Sequence, residues 1–574
     1  MLLRIAAFVG CLAVVLSLAL PASAENEGID SLDKATELKL DASTDEELAK
    51  VIELCEKAIE LGLDDGNKVL ANKLLAAAAY QRAEAMLQQL PRYQNNRNAF
   101  NNLRRLCIAN LEKAVAAKAN FPEAWTLLAQ VEFMNGQNRQ KALAHLDKAV
   151  EYLQDKPVDL SKTYVMRALL RTEDDDRLAE LQLAIEADPS NIQAWQAKIE
   201  LQRQNGNLQE AMEDAKKLLA KDASNEFAIS AVVESLIGLN QEREAIDLVT
   251  ARIEEAPDNG MLYRNRALAY RSISLDPDLS EEENNAARDS ALADLNKAIE
   301  IDSRDAIALI KRGEIYFDME ENEKAREDIS SSLLIEPNSI EGVLYRSLVA
   351  ASQGRYDEAI EDMRVLVRFA PSNAPWVRQL AHLYHLDNRP REAIDLLDVF
   401  LKSNPKDWRG YRIRGDASLS ISEHQNAIAD YETALKVIAG FAEDSPEAKD
   451  VSVEEHAGVL NNYSWLLATS PKDEVRNGKR ALELGLKACE LTEYKLAHIL
   501  STLAAAYAET GDFENARKWS SEAVKEGAKE DNPEQQVQLE KELESYKADK
   551  PWREQQEIEE NELPLNIPLE TIDT

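Results

Sequence analysis

Very little in this chain could cross-link it, chelate a metal or cradle a nucleotide. It has four cysteines in 574 residues. Cys11 sits in an apolar N-terminal run, while Cys55, Cys107 and Cys489 are far apart, and no C-x-x-C occurs. That spacing excludes a disulfide framework and a zinc ribbon, and leaves three small residues to pack inside helices. Six histidines are present, none in a zinc-type cluster with cysteine. His382 and His385 are the close pair, at i and i+3 on one helix face, without a local third ligand. There is no H-E-x-x-H, P-loop, G-x-G-x-x-G or G-x-S-x-G. Positive charge is scarce: 67 Lys and Arg stand against 104 Asp and Glu, a net charge of −37. Phosphate backbones need a basic surface, so nucleic acid is not an expected partner. Solubility is the plain consequence of the acidity. With so many carboxylates, chance pairs carry no information about acid–base catalysis. The 19 glycines and 18 prolines are scattered and leave no long flexible linker. Aromatics at 6% beside charged residues at 30% suit long soluble helices better than a compact β-rich core.

Long hydrophobic runs are missing too, with one exception. Arg4 precedes it, Ile5 to Leu20 forms it, and Pro21-Ala22-Ser23-Ala24 follows. These are the n-region, h-region and A-x-A site of a secretory signal peptide. The run is short for a membrane span. Cys11 lies inside it, whereas a lipid-anchored cysteine follows such a run. The expectation is cleavage after Ala24, a mature chain from Glu25 with net charge −38 once Arg4 is gone, and a periplasmic or secreted destination. No other segment is apolar enough to span a bilayer. A membrane anchor made by an uncleaved signal is the alternative.

What the chain has in quantity is repetition. Residues 353–371, QGRYDEAIEDMRVLVRFAP, and 387–405, DNRPREAIDLLDVFLKSNP, start 34 residues apart and keep Glu-Ala-Ile in register, with a proline twelve residues after the alanine. Equal-length units stand at 192–225, 226–259, 306–339, 340–373, 374–407 and 408–441, and unit 260–305 keeps the register with an insertion. Altered units occupy 122–155, 158–190 and 455–492. A well-formed unit covers 497–530, a stretched one 68–120, and 46–63 reads as a lone second helix. Each unit can be numbered from 1 to 34. Position 4 is aromatic in Trp125, Trp195, Tyr263 and Tyr411, and position 11 in Tyr270, Tyr316, Tyr384 and Tyr507. Position 8 is small, as in Gly313, Ser347 and Gly415. Position 20 is alanine from Ala211 through Ala325 and Ala393 to Ala516, and position 32 is proline in Pro257, Pro337, Pro371 and Pro405.

Two helices per 34 residues is the period of the tetratricopeptide repeat, and at these positions about four-fifths of the chain resembles that family. The resemblance implies an all-α fold: an α–α superhelical solenoid of about 11–12 units behind an N-terminal signal peptide. Small residues at 8 and 20 let antiparallel helices approach, aromatics at 4 and 11 fill the wedge between units, and proline at 32 ends the second helix.

A second pattern emerges between units. Position 7 is basic in Lys198, Arg266, Arg312, Arg346 and Arg414, and the same five units have aspartate at position 23: Asp214, Asp294, Asp328, Asp362 and Asp430. Where position 7 is apolar (Val232, Leu380, Leu503), position 23 is apolar too (Leu248, Leu396, Trp519). The pairing predicts a contact between the two helices of a unit, made by an ion pair or by packing, and assigns these basic residues a structural role. A partly exposed pair adds about 0.5–1 kcal/mol.

The expected organisation is a signal peptide at 1–24, irregular helical repeats at 25–120, a main array at 122–441, a hinge or linker at 442–453, a C-terminal pair of repeats at 454–530, and a capping helix with an acidic disordered tail at 531–574. Residues 272–289 enlarge one turn, where Ser280-Glu281-Glu282-Glu283 is a capping box that starts the next helix near 281. Residues 468–479, ATSPKDEVRNGK, enlarge another and read as a tolerated surface insertion. Residues 533–548 suit the polar closing helix that a terminal repeat requires. From 553 the run REQQEIEENELPLNIPLETIDT is acidic and proline-interrupted. ALELGLKACELT with LSTLAAAYAETGDFENARKW is similar to the closing repeats of exported bacterial tetratricopeptide proteins.

The resemblance implies binding rather than catalysis. In the family the first helix of each unit lines a concave groove through positions 2, 5, 9 and 12. In units 374–407 and 408–441 these hold Arg378, His382, His385, Arg409 and Arg412, with one acid, Asp416. In an acidic chain this is a basic patch suited to an acidic side chain or a C-terminal peptide carboxylate. Ordinary surface variation is the alternative. The Lys and Asn of the family's carboxylate clamp are missing, so that activity is not carried over. The array also leaves no room for the α/β region that repeat-bearing glycosyltransferases add. The expected function is a non-enzymatic protein–protein interaction scaffold of the bacterial cell envelope, with no cofactor or metal and a protein or peptide partner. A cell-wall or carbohydrate-associated factor is the alternative, favoured if aromatics line the groove. An enzyme with its site in the 260–305 insertion would need a buried, converging polar set there.

Overall fold

A computed structural model describes residues 22–93, 96–134, 138–442, 445–530 and 532–554, with the backbone alone for 22–26. The apolar run of the expected signal peptide and the acidic tail from 555 lie outside these residues, while Ala22 to Ala24 open the helix Ala22–Asp41. Among the described residues there are 28 α-helices, one 3-10 turn (Leu90–Tyr93) and no strand. No helix among them is long and apolar enough to cross a membrane. Twenty-six of the helices follow one another as 13 two-helix units, and Pro446–Lys449 and Pro533–Lys547 are the two left over. They form two compact bodies: residues up to Arg252 with Leu268–Ile273, and Ile253–Ala267 with the residues from Ser274 on.

In the first body the helix Asp45–Leu61 is not alone. Thr44 starts it with a reciprocal capping box to Glu47, and Ala22–Asp41 packs against it. Leu32 is buried with Ala58, and Ala35 with Cys55. That extra helix raises the count to 13 units, where the sequence pattern predicts 11–12.

The repeat positions act as their chemistry requires. Every position-20 alanine from Ala211 to Ala516 is fully buried. A Cβ on Gly313 would lie 2.8 Å from Ile329, and one on Gly415 2.9 Å from the Tyr431 ring, so position 8 sits at a close helix approach. Where it is serine, the hydroxyl donates across the hairpin, Ser347 to the Ala359 carbonyl at 2.9 Å; in the altered units Ser161 and Ser464, at other positions, donate to the Ala184 and Ala481 carbonyls at 2.7 Å. The position-4 aromatics use their polar tips. Trp125 donates to Ala119 O at 2.8 Å, Trp195 to Pro189 O at 3.1 Å and Tyr263 to Pro257 O at 3.1 Å, each six residues upstream at the preceding turn. Position 15, between the two helices, is left-handed in Gly206, Asn240, Glu320, Gly354, Asn388, Ser422 and Gly511. Only glycine takes that conformation without a steric cost.

All five position 7–23 contacts form: Lys198–Asp214 at 2.8 Å, Arg266–Asp294 at 2.7 Å, and Arg312–Asp328, Arg346–Asp362 and Arg414–Asp430 at 2.6 Å. Each arginine grips both carboxylate oxygens through Nε and Nη2. The aspartates are 3 to 7% exposed. Such a pair is therefore a buried one on the acidic side, and its removal costs more than the surface value. In the apolar units Val232, Leu380 and Leu503 are buried, and Leu396 and Trp519 pack against the same cores as Leu380 and Leu503.

The interruptions have distinct structures. The insertion at 272–289 lengthens its hairpin: Ser280 and Glu283 cap the helix Glu281–Ile301, and Asn284 donates to Asp276 O at 3.0 Å. Residues 275 to 285 are exposed or half-exposed. The insertion at 468–479 is held firmly. Val475 is 4% exposed in the core, and Arg476 bonds Glu509 at 3.0 Å and Ser470 O at 2.8 Å. Residues 443 and 444 lie outside the described set, yet one core runs from Trp408 through Tyr463 and Leu500 to Tyr546. The helix Pro533–Lys547 closes it with Leu539 and Tyr546.

Candidate partner-binding groove

Inside the second body, the first helices of the last repeats surround a cavity of about 810 Å³. Ala374–Leu386, Trp408–Ser420, Val453–Thr469 and Ala497–Glu509 supply its walls, and Pro533–Lys547 its far side. Residues three and four apart on a helix share a face, which brings His382 with His385, Arg412 with Asp416, and Asn461 and Asn462 with Trp465 to the space. Glu554 lies at one edge. Glu554 donates its N–H to Thr469 O at 3.1 Å and accepts from the Trp465 indole, while Arg553 donates to Ala468 O at 3.2 Å. These bonds satisfy carbonyls left open at the C-terminus of Val453–Thr469.

Of the five residues singled out from the sequence, His382, His385 and Arg412 line this cavity. The other two are engaged within the chain. Arg378 pairs with Asp407 at 2.5 Å. Arg409 pairs with Asp450 and Glu455, each at 2.6 Å, and through these bonds holds both carboxyls below their ordinary values. Arg412 differs from Arg378, Arg409 and Arg414: it makes no hydrogen bond or ion pair among the described residues, and its Nε is buried without a partner. Asp416, one turn on, is occupied by the Tyr431 hydroxyl at 2.6 Å and the Asn462 amide at 2.9 Å. His385 Nδ1 and Asn461 Oδ1 are likewise buried without a hydrogen-bond partner among the described residues.

The groove walls remove water from His382, and His385 and Arg412 add positive charge, so its imidazole is held below its ordinary value. Burial pushes the Glu542 carboxyl up against the bonds it accepts from Ser501 and from Gln538 at 3.1 Å. The cavity therefore offers donors at the Arg412 end and mixed donors and acceptors at the other. Groove positions 2 and 5, applied to unit 497–530, would have found His498 and Ser501. Asn461 and Asn462 are hidden by the altered register of unit 455–492. Trp465 lines the cavity, but Trp125, Trp195, Trp376, Trp408, Trp519 and Trp552 pack into the cores between helices. That distribution does not favour the carbohydrate reading.

These features define an α-helical repeat protein whose units are stacked helical hairpins with a ligand-sized concave cavity at one end. Residues 380–446 match the tetratricopeptide repeat family model, so the chain carries tetratricopeptide repeats there. A stretch of 92 residues is 32% identical to the TPR repeat-containing thioredoxin TDX of Arabidopsis thaliana, covering 16% of this chain and 24% of that protein. The chain thus spans about a quarter of the length of that curated relative, 24%. Among solved structures, yeast Tom70 aligns over 81% of this chain and 96% of its own at 18% identity and a TM-score of 0.37. The APC/C hetero-tetramer Cut9–Hcn1 aligns over 92% and 98% at 13% identity and a TM-score of 0.38.

Proposed function

We propose that this chain is a non-enzymatic protein–protein interaction scaffold of the bacterial cell envelope, holding a segment of a partner in the cavity of its C-terminal repeats. Tetratricopeptide repeats are protein-interaction modules, and stacked units create concave binding surfaces. The observation that carries the reading is Arg412, a guanidinium lining a cavity of about 810 Å³ with no counter-charge bonded to it. An unpaired guanidinium beside His382 and His385 suits an acidic side chain or a terminal carboxylate. The signal-like N-terminus supports a periplasmic or secreted location, with a membrane-anchored form as the alternative.

Site-specific photo-crosslinking tests this. A crosslinking side chain at position 462 faces the cavity, and one at position 334 replaces Leu334, which is 85% exposed on a second helix. A protein partner joined from 462 and not from 334, and lost on Arg412→Ala, is the expected result. Equal capture from both positions contradicts it. Fractionation of cells carrying the full chain or 25–574 tests the location.

A further inference from the structure

We infer that the cavity takes up a carboxylate-bearing ligand together with a proton on the His382–His385 pair, so that capture strengthens as pH falls below neutral. The inference rests on the cavity being the partner site. It follows from a local charge balance. Arg412 and Asp416 lie on one helix face and offset each other. A ligand carboxylate seated on Arg412 leaves one uncompensated negative charge in a desolvated space, which is costly. Two imidazoles line the same wall, and imidazole is the side chain that gains charge most readily in this pH range. His385 Nδ1 is buried without a partner. A proton on the pair restores neutrality and gives the ligand a second charged donor.

The surroundings leave the task to these groups. From Trp408–Ser420, Arg412 and Asp416 face His382, and from the next helix Tyr431 bonds Asp416. Across the cavity stand His498, Glu542 and Glu554. Glu542 is bonded to Ser501 and Gln538, and Glu554 to the Trp465 indole. On its other sides Ala374–Leu386 meets Glu361 and Arg364 of the preceding helix and Glu392 of the following one, which surround Tyr384. Unliganded, His382 is held below its ordinary value by desolvation first, with the Arg412 charge adding to it. A bound carboxylate offsets that positive charge. Linkage is reciprocal: whatever the anion does to proton affinity, the proton does to anion affinity.

The test is calorimetric titration of the full chain with acetyl-Ala-Ala-Ala-Gln, whose one carboxylate is the free C-terminus, at pH 7.5 and 5.5 in two buffers of different ionisation enthalpy. The control peptide is acetyl-Ala-Ala-Ala-Gln amide. The inference expects affinity for the acid to rise about tenfold between the two pH values, with proton uptake averaging about one half across that interval. It expects no such rise in the H382Q/H385Q double variant, and loss of binding at both pH values in R412Q, with circular dichroism unchanged in both variants. Binding by the wild type that is equal at both pH values, or a pH effect that survives in the double variant, overturns the proton linkage and leaves the groove reading standing. No binding at either pH, or equal binding of the amide control, overturns both.

Discussion

Arg378 donates to one oxygen of Asp407 at 2.5 Å, while the other oxygen of that carboxylate accepts from the Gly410 amide at 2.6 Å. One side chain thus caps the first helix of a repeat and ties it to the first helix of the repeat before. Arg264 and Asp305 repeat the arrangement: Asp305 caps Ala308 at 2.9 Å and accepts from Arg264. Both aspartates are the last residue of their unit, and both arginines hold position 5. An arginine at a groove position is here a strut between units.

The strut predicts a graded loss. Asp407→Ala removes a cap, worth about 1 kcal/mol, and the ion pair as well. Arg378→Ala removes only the pair, about 0.5–1 kcal/mol for a partly exposed arginine. Hydrogen exchange at the start of Trp408–Ser420 reads both changes, with the larger effect expected for Asp407→Ala.

The fork between Arg312 and Asp328 is a stronger case. Arg312→Ala leaves Asp328, 5% exposed, without its partner. The expected cost is about 3 kcal/mol, at the low end for breaking a buried pair. Arg312→Ala with Asp328→Ala together costs less than Arg312→Ala alone. Exchange rates in Ala306–Asp318 and Asn322–Ile335 measure the cycle.

Glu320 occupies the left-handed position of its hairpin at φ 59°. Glu320→Gly removes a steric cost of 1–2 kcal/mol and adds part of that back as chain entropy, for a net gain of roughly 0.5–1 kcal/mol. A rise in the midpoint of local unfolding of 306–335 is the expected outcome; a fall contradicts the geometry.

His424 is 2% exposed and neither ring nitrogen has a partner among the described residues. Burial first, and Lys472 second, hold its imidazole below the ordinary value of 6.5. The folded pKa therefore lies below the unfolded one. Its contribution to stability is complete above about pH 6.5 and is lost as pH falls toward the folded value. The melting temperature of the wild type falls more between pH 7 and pH 5.5 than that of His424→Leu.

Legibility in the sequence followed the reach of the period. The position 7–23 pairs were readable because both partners lie inside one 34-residue unit and change together from unit to unit. Arg378–Asp407 was not, because the aspartate reads as an ordinary turn residue until the next helix is placed beside it. The left-handed position 15 was hidden because Gly, Asn, Glu and Ser all occupy it. The bonds from Arg553 and Glu554 to Ala468 and Thr469 join residues some 85 positions apart, outside any local pattern. The basic patch was visible, but its division into struts and a cavity residue depended on which carboxylates the fold brings near.

The most direct measurement compares Arg378→Ala, Arg409→Ala, Arg412→Ala and Arg414→Ala for both melting temperature and crosslinking yield from position 462. The account predicts that Arg412→Ala keeps the wild-type melting temperature and loses the crosslink, while the other three lower the melting temperature. An Arg412→Ala protein that melts early, or an Arg378→Ala protein that loses the crosslink at unchanged stability, would contradict it.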